Sequence, residues 1–263
     1  MSESPARDLQ IEDHGAVRLI RLVRPGAKNA LTLGTVEELI AALAAAGGAP
    51  SVRAVVLSGT RGAFCSGADL RWLTQALDSG EPMGPGLERF QALSLGVVEL
   101  GKPVVAAVTG PAVGFGADLA LACDFRVLAE SAYLQEKFAA IGLMPDGGGS
   151  YFLTRLLGPA RALEMLMLGS RIDAAQAVSL GLATSMTDDA DTERAALALA
   201  ATLSQAAPLA LSRIKHAVHA NASELRAALG RERAGQLELL QSADVREGVR
   251  AFLERRTPVF RGN

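Results

Sequence analysis

The sequence predicts an α/β core followed by a helical C-terminal region. Three observations carry this prediction. Apolar runs of strand length, such as Pro103-Val104-Val105-Ala106-Ala107-Val108, alternate with segments of helical spacing through the first part of the chain. Glycine-dense turns follow two of those runs and lead into helices. From residue 191 to residue 254 the pattern is helical almost throughout. The division is a core over 1–200, carrying the active site, and a helical region over 201–263.

The elements follow in order. Residues 9–13 and 16–22 read as two strands around the Asp13-His14-Gly15 turn. A loop with one lysine, Arg24-Pro25-Gly26-Ala27-Lys28-Asn29, precedes a helix over 35–46, with Val36, Leu39, Ile40 and Leu43 on one face and Gly47-Gly48 as its stop. Residues 52–58 form a strand that leads to Phe64-Cys65-Ser66-Gly67-Ala68-Asp69-Leu70. Residues 78–86, rich in Gly and Pro, are expected to be a mobile loop. A helix over 87–100 turns Phe90, Leu93, Leu95 and Val97 mostly inward. Short helices over 160–168 and 174–180 are divided by Gly169-Ser170-Arg171, and a strand covers 182–186. The rear helices break at Ala207-Pro208 and near Asn221-Ala222-Ser223, with Ser223 as an N-cap.

Composition narrows the function classes. At 263 residues the chain suits one large domain or a domain with an appendage, and its apolar content of 49% is globular. A formal net charge of −2 gives no reason to expect nucleic acid or an anionic membrane as partner. Cys65 and Cys123 form neither a disulfide framework nor a metal-ligand spacing, so a reduced setting is expected. Residues 1–7 hold no apolar signal core, and no segment reaches the roughly twenty apolar residues a membrane span needs. The expectation is a soluble, cytoplasmic protein.

The stretch from Lys102 to Ser150 organises the chemistry. Gly110-Pro111-Ala112-Val113-Gly114-Phe115-Gly116 follows a buried strand, and a helix over 117–123 carries Asp118 in its first turn. Farther on, Ile141-Gly142-Leu143-Met144-Pro145-Asp146 leads into Gly147-Gly148-Gly149-Ser150, another helix start. Unpaired N–H groups at a helix start suit an anion or an oxygen gaining negative charge. An aspartate beside each turn points to acid/base work, or in the plainer reading to helix capping. Asp118 is expected to be held ionised by the helix dipole, and Asp146, after an apolar run, to sit where water is scarce. Ser66-Gly67-Ala68-Asp69-Leu70 echoes Phe115-Gly116-Ala117-Asp118-Leu119, as a strand–turn–helix unit used twice.

Other constellations are weaker. His216 and His219 share a helix but lack further ligands, so a solvated face is the expectation and no metal is assigned. His14 sits in a turn, and no Gly-x-Ser-x-Gly elbow is present. Gly114-Phe115-Gly116 lacks the third glycine of a dinucleotide fingerprint, and Asp118 would oppose a pyrophosphate. Both cysteines read as small buried residues. Arg71 and Trp72 suit either a ligand contact or a half-buried helix start.

These residues resemble the enoyl-CoA hydratase/isomerase, or crotonase, superfamily. The resemblance runs through Arg24-Pro25 with Asn29-Ala30-Leu31, Ala63 to Leu70, Lys102 to Ala106, Gly110 to Asp124, Gly142 to Gly148 and Ala174 to Leu182, and ends at Glu247 to Phe252 and Arg256 to Phe260. It implies a crotonase-like spiral of ββα repeats, with a C-terminal helical region that forms a homotrimer or a dimer of trimers. It implies an acyl-CoA thioester as substrate, with coenzyme A as part of that substrate and no separate cofactor. The family's two backbone oxyanion donors carry over to Ala68 and Phe115. Lys28, Ala68, Asp69, Leu70 and Arg71 carry over as coenzyme A contacts, with Gly114 and Phe138 beside the substrate.

Departures from the family pattern shape the expected reaction. Hydratases of the family resemble one another in two glutamates. The first falls at Asp118 and the second at Phe138, which transfers no proton, while Glu136 lies two residues away. Asp146 stands where those hydratases usually carry glycine, and family members that move double bonds often place an aspartate there. The expectation is therefore an enoyl-CoA isomerase, with Asp146 as proton shuttle and Asp118 assisting. Hydration by an Asp118–Asp146 pair, and a silent thioester-binding subunit, are the alternatives.

Overall fold

Six strands form the main sheet, in spatial order β1-β2-β3-β4-β6-β9. They are β1 (Leu9–His14), β2 (Val17–Leu22), β3 (Ala54–Gly59), β4 (Val104–Val108), β6 (Phe125–Ala129) and β9 (Ser185–Thr187). The β1/β2 hairpin is antiparallel and every later pairing is parallel. Every residue of β3 and β4 is buried, as parallel strands covered on both faces require. The structure, a computed structural model, describes residues 8–60, 62–219 and 222–263. The readings of residues 1–7 and of Asn221 lie outside the described residues.

Alternation along the strands divides the interior in two. Leu19, Val56, Val105, Ala107 and Val127 face Ala196 and Ala200 of a helix over Thr192–Ser204 (α8). Ile20, Val55, Leu57, Val104, Ala106 and Leu128 face the larger core. That core is shared with α1 (Leu33–Gly48), α3 (Met83–Glu99) and α4 (Phe115–Ala122). Among the described residues no single helix is long and apolar enough to cross a membrane.

Several expectations need correction. Gly47-Gly48 does not stop α1 but forms its last two residues. Residues 78–86 are not a loop, because α2 (Leu70–Ser79) and α3 leave only Gly80, Glu81 and Pro82 between them. Gly80 is the left-handed C-cap of α2 (φ 69°) and Pro82 the N-cap of α3, so these residues punctuate two helices. A second sheet of β5 (Ala112–Val113), β7 (Tyr133–Gln135) and β8 (Arg171–Asp173) has no sequence counterpart, since strands of two or three residues carry no readable period. The expected divider after residue 168 therefore runs into β8, and Asp173 then caps α7 (Ala174–Ser179) in a capping box with Gln176.

The remaining helices are α5 (Gly149–Leu157), α6 (Pro159–Leu168), α9 (Pro208–Val218), α10 (Ser223–Leu239) and α11 (Ala243–Glu254). Ser223 is the first residue of α10 and not its N-cap, which is Ala222 at φ 60°. The last two helices close over the front of the molecule: α10 packs on α3 and α5, and α11 on α2 and a 3-10 turn over Ala139–Ile141.

Candidate active site

Two glycine turns are pressed together by backbone bonding. Val113 N–H donates to Cys65 O at 3.0 Å and Cys65 N–H to Pro111 O at 3.2 Å. Gly116 is required here, because a Cβ on it would sit 2.1 Å from Cys65 O. At Gly67 (φ 92°) a Cβ would lie 3.4 Å from Phe115 N. The Ala68 and Phe115 amides therefore belong to adjoining segments. Phe115 opens α4 after Gly114 (φ 54°). Among the described residues, neither amide donates to a backbone carbonyl.

Both segments line a cavity of about 180 Å³. Its walls are apolar and rich in aromatics: Trp72 stacks on Phe90 with centroids 5.9 Å apart, and Phe90 meets Phe115 edge-on at 4.8 Å. Phe138 and Leu70 line the same space, and the Phe138 ring lies against Gly114. Lys137 and Asp146 are its only charged lining residues among those described. An adjoining cleft shares Ala68, Leu70 and Lys137 and is basic, with Arg24, Lys28, Arg71 and Arg255. Asp69 also lines that cleft, but its carboxylate accepts the Arg71 N–H at 3.0 Å, capping α2, and pairs with Arg24 at 3.2 Å.

Asp146 follows Pro145 in the segment between the 3-10 turn and α5. Its Oδ2 accepts Gln236 Nε2–H at 3.0 Å, while Oδ1 is buried without a hydrogen-bond partner among the described residues. Burial pushes its pKa up to about 7; the nearby Glu232 charge adds to the rise and the Gln236 bond opposes it. Asp146 does not cap α5. The N-cap is Gly148, and the acid at that helix start is Glu232 of α10. Glu232 accepts Gly148 N–H at 2.8 Å, Ser150 N–H at 3.0 Å and the Ser150 hydroxyl.

Asp118 is fully buried and does not line the cavity. Its Oδ2 accepts Gly147 N–H at 3.0 Å, so it ties one glycine turn to the other. The expectation that the helix dipole keeps it ionised is overturned. Burial raises its pKa well above the ordinary value, and the charges of Glu136, Glu232 and Asp146 add to the rise. Glu136 turns inward towards Asp118. Among the described residues no hydrogen bond reaches its two oxygens or Asp118 Oδ1, although the Asp118 carboxyl lies near enough for a hydrogen bond to lower the Glu136 pKa. Burial pushes Glu136 up to about 8, against the lowering effect of that bond.

Sequence reasoning missed Glu232 and Gln236. Both are polar residues on a helix of low overall apolarity, which reads as a solvated face. Elsewhere, Lys215 Nζ pairs with Asp124 at 2.8 Å and also donates to Val97 O and Lys102 O, with His219 3.7 Å from the same carboxylate. Among the described residues no group of three metal-ligating side chains occurs. Both cysteines are buried and free, with thiols pushed up to about 12 by burial.

Comparison with known proteins agrees with this architecture. The family model described as "Enoyl-CoA hydratase/isomerase" matches residues 12–263. A probable enoyl-CoA hydratase of Rhodobacter capsulatus is 41% identical, over 97% of this chain and 98% of that protein. The 1,2-epoxyphenylacetyl-CoA isomerase of Escherichia coli K12 is 38% identical, over 81% of this chain and 82% of that protein. Among solved structures, an enoyl-CoA hydratase from Mycobacterium avium subsp. paratuberculosis K-10 superimposes with a TM-score of 0.88 at 34% identity, covering 98% of this chain and 100% of that one. With the fold and the sequence match in agreement over nearly its whole length, the chain belongs to the enoyl-CoA hydratase/isomerase family and is an enzyme of the crotonase type.

Proposed function

We propose that the protein shifts the double bond of an enoyl-CoA thioester, with Asp146 carrying the proton. One observation supports this above the others: Asp146 is the only carboxyl group, among the described residues, on the wall of a mostly apolar cavity that Phe138 also lines. A base with a pKa near 7 is matched to removing and returning a proton at neutral pH.

The thioester oxygen lies against the Ala68 and Phe115 N–H groups. Asp146 takes a proton from C2 of a 3-enoyl chain. The C–H electron pair moves into the conjugated system, and negative charge collects on the thioester oxygen. The same carboxyl group returns its proton to C4, the C2=C3 bond forms, and Asp146 is again a carboxylate. Asp118 assists from behind the wall by holding Gly147, the residue after Asp146. The coenzyme A phosphates take the basic cleft of Arg24, Lys28, Arg71, Lys137 and Arg255. The acyl chain takes the apolar cavity, where a second carboxylate would meet aromatic walls and Asp146.

The test is incubation with 2-enoyl- and 3-enoyl-CoA thioesters, including one with a terminal carboxylate, in deuterated water. The expected products are isomerised, from uncharged acyl chains, and carry deuterium to the extent that the Asp146 proton exchanges with solvent before its return to C4. Addition of water as the main reaction would replace this reading with hydration.

A further inference from the structure

Helix α10 presents two buried polar side chains one turn apart, Glu232 and Gln236, towards the segment that carries Asp146. Glu232 holds that segment beyond Asp146, at Gly148 and Ser150. Gln236 holds it on both sides of Pro145: its Oε1 accepts Met144 N–H at 3.1 Å and its Nε2–H donates to Asp146 Oδ2 at 3.0 Å.

This pair of bonds fixes which way the amide faces. A flipped amide would set NH2 against the Met144 N–H and its oxygen against the carboxylate, losing both bonds. Gln236 therefore offers Asp146 a donor and nothing else. Oδ2 remains an acceptor whether Asp146 is ionised or protonated. A proton taken up by Asp146 must then reside on Oδ1, the oxygen left without a partner.

We propose that Gln236 is the positioning residue of Asp146, holding its carboxyl group in one orientation and confining the transferred proton to Oδ1. This rests on Asp146 being the base of the proposed reaction. The donor also favours the ionised form, against burial and against the negative charge of Glu232 on α10; Asp118 on α4 and Glu136 after β7 also stand near, their own pKa values raised by the Asp146 charge, and Lys137 is the one cation on the cavity wall among the described residues. A helix distant in sequence thus sets the working pH of an acid in the core.

The experiment compares Gln236→Leu and Gln236→Met with the parent enzyme and with Asp146→Asn, measuring kcat and KM of isomerisation from pH 5 to 9. Gln236→Leu removes the donor. Gln236→Met removes it while keeping the length of the side chain, so it decides the matter if the leucine variant fails to fold. In both, the ascending limb of kcat moves up by about one to two pH units, the equivalent of losing one hydrogen bond to a charged group. KM stays within about twofold, because Gln236 is not among the residues that line the basic cleft proposed for the coenzyme. An unmoved limb in the folded variants, with Asp146→Asn inactive, overturns the role of Gln236 and leaves the base in place. Activity in Asp146→Asn overturns both.

Discussion

Asp118 Oδ2 accepts the Gly147 N–H at 3.0 Å, so the acid of the first glycine turn anchors the second turn directly after Asp146. Glu136 lies beside the same carboxyl group, and among the described residues neither its oxygens nor Asp118 Oδ1 have another hydrogen-bond partner. Asparagine at 118 keeps an acceptor for Gly147 and gives Glu136 a donor. Asp118→Asn is therefore expected to slow turnover by no more than about tenfold, whereas Asp146→Asn costs about 100- to 10,000-fold. Deuterium exchange into substrate, compared for the two variants, checks the ranking; the reverse order would make Asp118 the main proton carrier.

The pH dependence has a definite sign. In the proposed reaction Asp146 acts as a base when ionised, and burial pushes its pKa up to about 7. Turnover should rise with pH through about 7 and fall about tenfold per unit below it. A flat profile between pH 5 and 8 would show that Asp146 does not govern the rate.

Ala68→Pro removes one of the two N–H groups proposed to hold the thioester oxygen, at a residue that lines the cavity. The expected loss in kcat is about 100- to 1,000-fold. Circular dichroism and coenzyme A binding separate this loss from unfolding, and near-normal turnover in a folded variant would reject the oxyanion assignment.

Glu136 gives a stability prediction. Its folded pKa, about 8, lies above the ordinary value of 4.5, so between those values the folded state binds more protons than the unfolded state. Stability should then fall as pH rises from about 4.5 to about 8. Glu136→Gln removes the titration while keeping a donor towards Asp118. Thermal melts at pH 5 and pH 8 should show a smaller drop in Tm for the variant; equal drops would contradict the raised pKa of Glu136.

We infer self-association, as a trimer or a dimer of trimers. Leu209, Ile214 and Val218 on α9, and Leu163, Met167 and Leu168 on α6, are exposed in the single chain. Light scattering at micromolar concentration should give a mass above that of one chain, and a monomer would count against the proposal.

The α/β class, β3, β4 and the main helices were legible in the sequence because each has a period or a continuous apolar run long enough to read. Asp118 and Asp146 were legible as acids beside glycine turns, since a local pattern marked them. What no local pattern marked was decided by tertiary packing. Glu136, two residues from Phe138, becomes the partner of Asp118 only because of the direction in which it leaves the end of β7. Glu232 and Gln236 read as polar surface until α10 lies across α5 and its turn. The setting of Asp118 also differs from the local reading: the helix dipole acts only over its own first turn, whereas burial among three other carboxyls is imposed by the whole fold and raises its pKa. Sequence alone determined which residue types stand at the turns. The tertiary structure decided which of them meet, because hydrogen bonds between residues about ninety positions apart have no sequence period.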